Sequence, residues 1–172
     1  MTEAATEEAG PTTSPAGKRP RAGLLILFVA LMAVAAIVFA VVSTRQAAPK
    51  VGEPAPAFSL SSREGLKIDS QLLRNNVVVI NFFASWCKPC QEEAADLEAV
   101  WKEYRPRGVF FLGVTYQDTD AKVSEFLQRN GITYLVANDD GALSKRFGVT
   151  GVPETYIIGR NGVLAFKQIG PI

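Results

Sequence analysis

The sequence predicts an α/β domain, a mixed central sheet flanked by helices, preceded by one transmembrane helix. Three observations carry this. From Val77 onward, apolar strand-like runs alternate with helix-like runs and end at a hairpin signal, Gly159-Arg160-Asn161-Gly162. An uncharged apolar run, Gly23–Val42, precedes all of it. The only two cysteines, Cys87 and Cys90, stand where a strand-like run meets a helix-like run.

Taken in order, Met1–Gly17 is rich in Glu, Thr, Ala and Pro without apolar periodicity. Residues 1–22 therefore read as a disordered tail. Gly23–Val42 reads as a transmembrane anchor: at about 1.5 Å per residue it crosses roughly 30 Å of hydrocarbon. Lys18, Arg19 and Arg21 stand directly before it, while Arg45 and Lys50 are fewer and more spread. The positive-inside rule then predicts a single-pass protein of the cytoplasmic membrane, with a cytoplasmic N-terminus and an extracytoplasmic, periplasmic domain. A cleaved signal peptide, with Val38-Phe39-Ala40 as its weak cleavage site, is the competing reading; the run is longer than a signal core of roughly 7–15 residues. Residues 43–50 are a polar linker, and the folded domain is expected over 51–172.

Val51–Leu60 is an extended, proline-punctuated opening. Leu66–Asp69 reads as a short strand, and Ser70 as the cap of a brief helix through Leu73. Val77–Phe83 is apolar on both faces, as a central strand should be. The helix after Cys90 places Ala94, Leu97, Trp101 and Tyr104 on one stripe and ends at Pro106-Arg107-Gly108. Val109–Thr115 is a second buried strand, Ala121–Arg129 a helix stopped by Asn130-Gly131, and Tyr134–Ala137 a short strand. Asn138–Gly141 turns into a short helix to Phe147. Thr155–Ile158 and Val163–Ile169 form the closing hairpin.

At 172 residues and 48% apolar content the chain can fill one core. A formal net charge of +1 gives no case for nucleic-acid binding. With two cysteines and no histidine, a zinc site of thiolate and imidazole ligands lacks its four donors. A structural disulfide between the two would close a very small loop, worth only about 2 kcal/mol. A redox-active pair fits better. A cysteine at a helix start lies over backbone N–H groups without intrahelical partners, and these favour the thiolate, the reactive form. No metal or other cofactor is called for.

Phe82-Phe83-Ala84-Ser85-Trp86-Cys87-Lys88-Pro89-Cys90 resembles the active-site segment of membrane-anchored thioredoxin-like proteins of the TlpA/ResA and CcmG (DsbE) types, which reduce disulfides during cytochrome c maturation. The resemblance runs from Val51 to about Gly170. Val51–Phe58 is typical of the wider redoxin group, and Glu93 matches an acid these reductases carry. Gly148-Val149-Thr150-Gly151-Val152-Pro153-Glu154-Thr155-Tyr156 is similar to their cis-proline loop. Lys88-Pro89 is nearer the ResA pattern and Pro153-Glu154-Thr155 nearer that of CcmG.

The resemblance implies a thioredoxin-like fold and a protein-disulfide reductase. It assigns Cys87 as the exposed nucleophile and Cys90 as the resolving thiol. Glu93 would tune their pKa and accept a proton, and Trp86, Val152, cis Pro153 and Glu154 would bind substrate. The implied partners are apocytochrome c, through its heme-attachment Cys-x-x-Cys-His segments, and a membrane electron donor of the CcdA/DsbD type. The family ends in a further helix, so the domain 51–172 is expected to lack that cover. A peroxiredoxin-type peroxidase is a poorer match, because Ile80 and Ala84 stand where such enzymes need Pro and Thr. A non-enzymatic, membrane-tethered binding module would need a disulfide that resists reduction.

Overall fold

The computed structural model describes residues 21–43, with side chains for 23–39, and residues 48–172. The expected tail up to residue 20 and residues 44–47 of the linker lie outside the described residues. The chain divides into two units, residues 1–45 and 46–172.

Within the first unit, the described residues form the helix α1, Arg21–Ser43, of 23 residues. Its large side chains from Leu24 to Phe39 are exposed. Among the described residues, no helix is long and apolar enough to cross a membrane.

The second unit is built on a five-stranded mixed sheet. Its strands are β3 (Val77–Phe83), β4 (Val109–Thr115), β5 (Leu135–Asn138), β6 (Glu154–Ile158) and β7 (Leu164–Ile169), in the order β5-β4-β3-β6-β7. A separate antiparallel ribbon pairs β1 (Ser59–Ser61) with β2 (Lys67–Asp69). β3 runs parallel to β4 and antiparallel to β6, and β6 and β7 form the expected hairpin. The helices are α2 (Lys88–Tyr104), α3 (Asp120–Arg129) and α4 (Ala142–Phe147).

Alternation along β3 divides the core into two layers. Val78, Ile80 and Phe82 join Leu143 and Phe147 of α4, Ile68 of the ribbon and Phe58 just before it. Val79 and Phe83 face the other way, onto Ala94 and Leu97 of α2 and Val123 and Phe126 of α3. Covered on both faces, β3 has no room for a solvent-facing polar set, which explains its unbroken apolar run.

Two local expectations fail. Ser70–Asn75 is a series of turns, not a capped helix. The Ser70 hydroxyl instead accepts the Phe58 N–H at 3.0 Å, tying the ribbon to the opening segment, and Asp69 Oδ1 takes the Gln71 N–H at 2.8 Å. Tyr104, placed on the buried stripe of α2, is exposed, with the Arg107 guanidinium 4.9 Å from its ring centroid. The helix ends there, in the 3-10 turn Arg105–Arg107 and a left-handed Gly108.

Candidate active site

β3 delivers the chain to one end of the sheet, and the turn Ala84–Trp86 carries it into α2. Cys87 is the N-cap of that helix, in extended geometry. Its sulfur accepts the Cys90 N–H at 3.2 Å. A sulfur in this position satisfies one of the N–H groups a helix start leaves open, so negative charge on it is stabilised. Pro89 lies in the first turn, where its missing N–H removes no helical bond. Cys87 and Cys90 are joined as a disulfide, with Cα atoms 5.3 Å apart.

The Val152–Pro153 peptide bond is cis. The Val152 carbonyl oxygen lies 3.5 Å from Cys87 Sγ, so the β6-side loop is packed directly on the pair. This corrects the expectation of an exposed Cys87. In the disulfide form its residue is 4% exposed and Cys90 2%. The cover comes from the Val152–Pro153 loop above and the α2-side core beneath. The exposed surface around the pair belongs to Trp86, Lys88 and Pro89. Trp86 is 55% exposed, and its indole N–H donates to the Gln117 carbonyl at 3.2 Å, which fixes the ring at the rim. The Ser85 N–H donates to Asp118 Oδ2, and the Ser85 carbonyl accepts from Gln91 Nε2 at 2.8 Å, so the turn into Cys87 is held from two elements.

Glu93 lies three residues beyond Cys90, on the same face of α2, and both are buried. Its Oε1 accepts from Asn81 Nδ2 at 3.1 Å, and its Oε2 accepts from the Ile172 N–H at 3.1 Å. Burial pushes the Glu93 carboxyl above its ordinary value, and the two hydrogen bonds pull back only part of that shift.

Glu154, expected to meet substrate, has no exposed surface. Its Oε1 accepts the Thr150 N–H at 3.0 Å, and its Oε2 accepts the Tyr156 hydroxyl at 2.6 Å, with Lys167 Nζ 3.7 Å away. The carboxylate thus ties the loop before Pro153 to the α4-side core. It does not face the cysteine pair, because alternation along β6 puts it with Tyr156, opposite Thr155.

The structure therefore brings together Cys87, Cys90, Trp86, Val152, Pro153 and Glu93, and leaves Glu154 beneath the loop. Sequence reasoning missed Asn81, Gln117 and Asp118. A lone Asn inside the apolar run Val77–Phe83 was the available signal for the first; an exposed loop gave none for the others.

A profile of the AhpC/TSA family matches residues 51–167. The chain belongs to this family. Among its AhpC/TSA relatives is the thiol-disulfide oxidoreductase ResA of Bacillus thuringiensis, 30% identical over 122 residues that make up 70% of each chain. The thiol:disulfide interchange protein DsbE of Allochromatium vinosum is 35% identical over 131 residues, 72% of this chain and 69% of DsbE. A solved thiol:disulfide interchange protein of Chlorobium tepidum superposes with a TM-score of 0.66 at 30% identity, over 73% of this chain and 90% of that one.

The protein is thus an AhpC/TSA-family thiol-disulfide oxidoreductase of ResA/DsbE type, with a thioredoxin-like fold and a cysteine pair at its helix start. Its substrates as such an oxidoreductase are disulfide-bearing proteins. Within the family, the peroxidase reading finds no support at the site. Ile80 and Ala84 are both fully buried and apolar, so neither offers a hydroxyl beside Cys87.

Proposed function

We propose that this oxidoreductase is a membrane-anchored, extracytoplasmic disulfide reductase that acts on the Cys-x-x-Cys-His heme-attachment segments of apocytochrome c. Cys87 attacks the substrate disulfide. Cys90 resolves the mixed disulfide, and Glu93 takes its proton. Two electrons pass from the enzyme dithiol to the substrate, and a membrane donor of the CcdA/DsbD type restores the dithiol.

The observation that carries the direction is the buried Glu93 beside Cys90. An acid enclosed near a thiol disfavours its thiolate when charged. A less stable thiolate makes the dithiol a stronger reductant. An acid raised above its ordinary value is also a better proton acceptor than an unperturbed carboxylate. The helical, uncharged run in Gly23–Val42 and the basic residues before it support the anchor and its orientation.

The test uses full-length protein and two oxidised substrates, a Cys-x-x-Cys-His peptide and glutathione disulfide. Reduction of the peptide is expected to be faster by about tenfold or more at equal driving force, the discrimination that about 1.4 kcal/mol of differential binding gives. Equal rates would make this a general disulfide reductase. Net oxidation of the reduced peptide would reverse the direction. Protease added outside the cytoplasmic membrane of intact cells is expected to remove residues 51–172, and a protected domain would overturn the orientation.

A further inference from the structure

Asn81 is the only polar residue on β3, and it is 3% exposed. A buried amide without partners costs free energy, so its bonds explain why it stands there. β3 and β6 place Asn81 directly opposite Thr155. Asn81 Nδ2 donates to Thr155 Oγ1 at 3.0 Å and to Glu93 Oε1 at 3.1 Å. Both hydrogens of the amide are used. Rotating the amide by half a turn would set its carbonyl oxygen against the carboxylate, so the donating orientation is the consistent one. Thr155 is itself 1% exposed and fixes the amide from below. The sheet thus supplies a fixed donor aimed at one oxygen of Glu93, while the Ile172 N–H caps the other.

We infer that Asn81 is a positioning residue for the resolution step: it holds the Glu93 carboxylate in the place and charge state from which it receives the proton of Cys90. This rests on the proton-acceptor role of Glu93 given under the proposed function. In the mixed disulfide, Cys90 S–H gives its proton to Glu93. The Cys90 sulfur then attacks Cys87 Sγ, the Cys87–Cys90 bond forms, and the bond from Cys87 to substrate breaks. The substrate sulfur leaves with the electron pair and is protonated from solvent.

Two donors favour the carboxylate and burial favours the neutral acid, so removing one donor moves the balance toward the acid. Among the described residues, several other titratable groups lie on the elements around Glu93. The cysteine pair lies on its own helix, and Glu92 there is exposed and paired with Lys88 at 3.3 Å. Tyr134, before β5, feels the charges of Glu98 and Glu93, and with burial they push its hydroxyl far above the neutral range. Lys167 and Glu154 are paired at 3.7 Å with the carboxylate enclosed in the opposite layer.

The experiment measures single-turnover reduction of the oxidised Cys-x-x-Cys-His peptide by full-length enzyme against pH, resolving the decay of the mixed disulfide. Asn81→Leu removes the donor. Asn81→Asp is nearly isosteric, sets a second carboxylate against Glu93, and serves where Asn81→Leu fails to fold. Both are expected to move the acid limb of the resolution rate upward by about one pH unit, the scale of one hydrogen bond to a charged group. Initial attack by Cys87 is expected to keep its rate. In the Glu93→Gln background, Asn81→Leu is expected to shift nothing. If Glu93→Gln moves the profile while both Asn81 variants leave it in place, or if the shift persists without Glu93, the role of Asn81 is overturned. If Glu93→Gln leaves the profile unmoved, the role of Glu93 itself fails, and that of Asn81 with it.

Discussion

Glu93 and Glu98 lie on one helix, both enclosed, at 5% and 4% exposure, yet their environments act on them in opposite directions. Glu98 accepts the Thr133 N–H at 2.8 Å and the Thr133 hydroxyl, and it pairs with Lys102 at 3.1 Å. These partners outweigh desolvation and hold its carboxyl below the ordinary 4.5. Among the described residues, Glu93 has two neutral donors and no cation on its oxygens, so desolvation prevails and its carboxyl is raised above 4.5. The state of a buried acid is therefore set by the balance between desolvation and the donors and cations that meet it. The end of α2 that bears the cysteines keeps an acid that can gain and lose a proton. The more distant turn keeps one whose charged form is favoured and which fastens α2 to the segment before β5.

This contrast can be broken at several points, from the largest effect to the smallest. Cys87→Ser is expected to abolish disulfide exchange, and Cys90→Ser to accumulate a mixed disulfide with substrate, seen as an adduct on non-reducing gels. An adduct formed through Cys90 in the Cys87→Ser variant would give Glu93 no resolving thiol to serve. Glu98→Gln is expected to lower stability at pH 7 by about 1–3 kcal/mol, measured by urea unfolding, because the buried donors lose a charged acceptor. Its redox potential should stay that of the unmodified protein.

The pH dependence separates the two acids by sign. With a lowered folded-state value, Glu98 contributes stability that is present above 4.5 and lost as pH falls through that lowered value. With a raised one, Glu93 contributes stability that is full below 4.5 and lost as pH rises through its raised value. Glu93→Gln is therefore expected to match the unmodified protein in acid and to be the more stable of the two at neutral pH. A Glu93→Gln variant less stable at pH 7 would show that the carboxylate is a net structural contributor, like Glu98. Lys102→Met is expected to change stability by less than about 1 kcal/mol, since the Lys102 side chain is 56% exposed and Thr133 makes the closer contacts.

The frame of the domain was legible because it follows from periodicity. β3 and β4 appear where continuous apolar runs demanded central strands, and the Gly159–Gly162 turn closes the hairpin it signalled. The cysteine pair, Trp86 and the Val152–Pro153 loop were legible from the motif and the resemblance together. What escaped was set by tertiary contact. Ser70 reads as a helix cap locally but spends its hydroxyl on Phe58. Glu154 reads as a neighbour of the site, and only the register of β6 turns it into the other layer. The cover on Cys87 comes from a carbonyl 65 residues away in sequence. Asn81 stood in plain view, but its partners lie 12 and 74 residues on, so its part could be read only after α2 and β6 were in place.

The central claim is that Glu93, enclosed beside Cys90, makes the pair a reductant. Its most direct test is the redox midpoint of Cys87/Cys90 in the unmodified protein and in Glu93→Gln, equilibrated against glutathione or dithiothreitol buffers at pH 7. Removing the acid is expected to stabilise the thiolate and move the midpoint to a less negative potential by about 30 mV, the two-electron equivalent of about 1.4 kcal/mol. An unchanged midpoint, or a shift to a more negative one, would contradict the account.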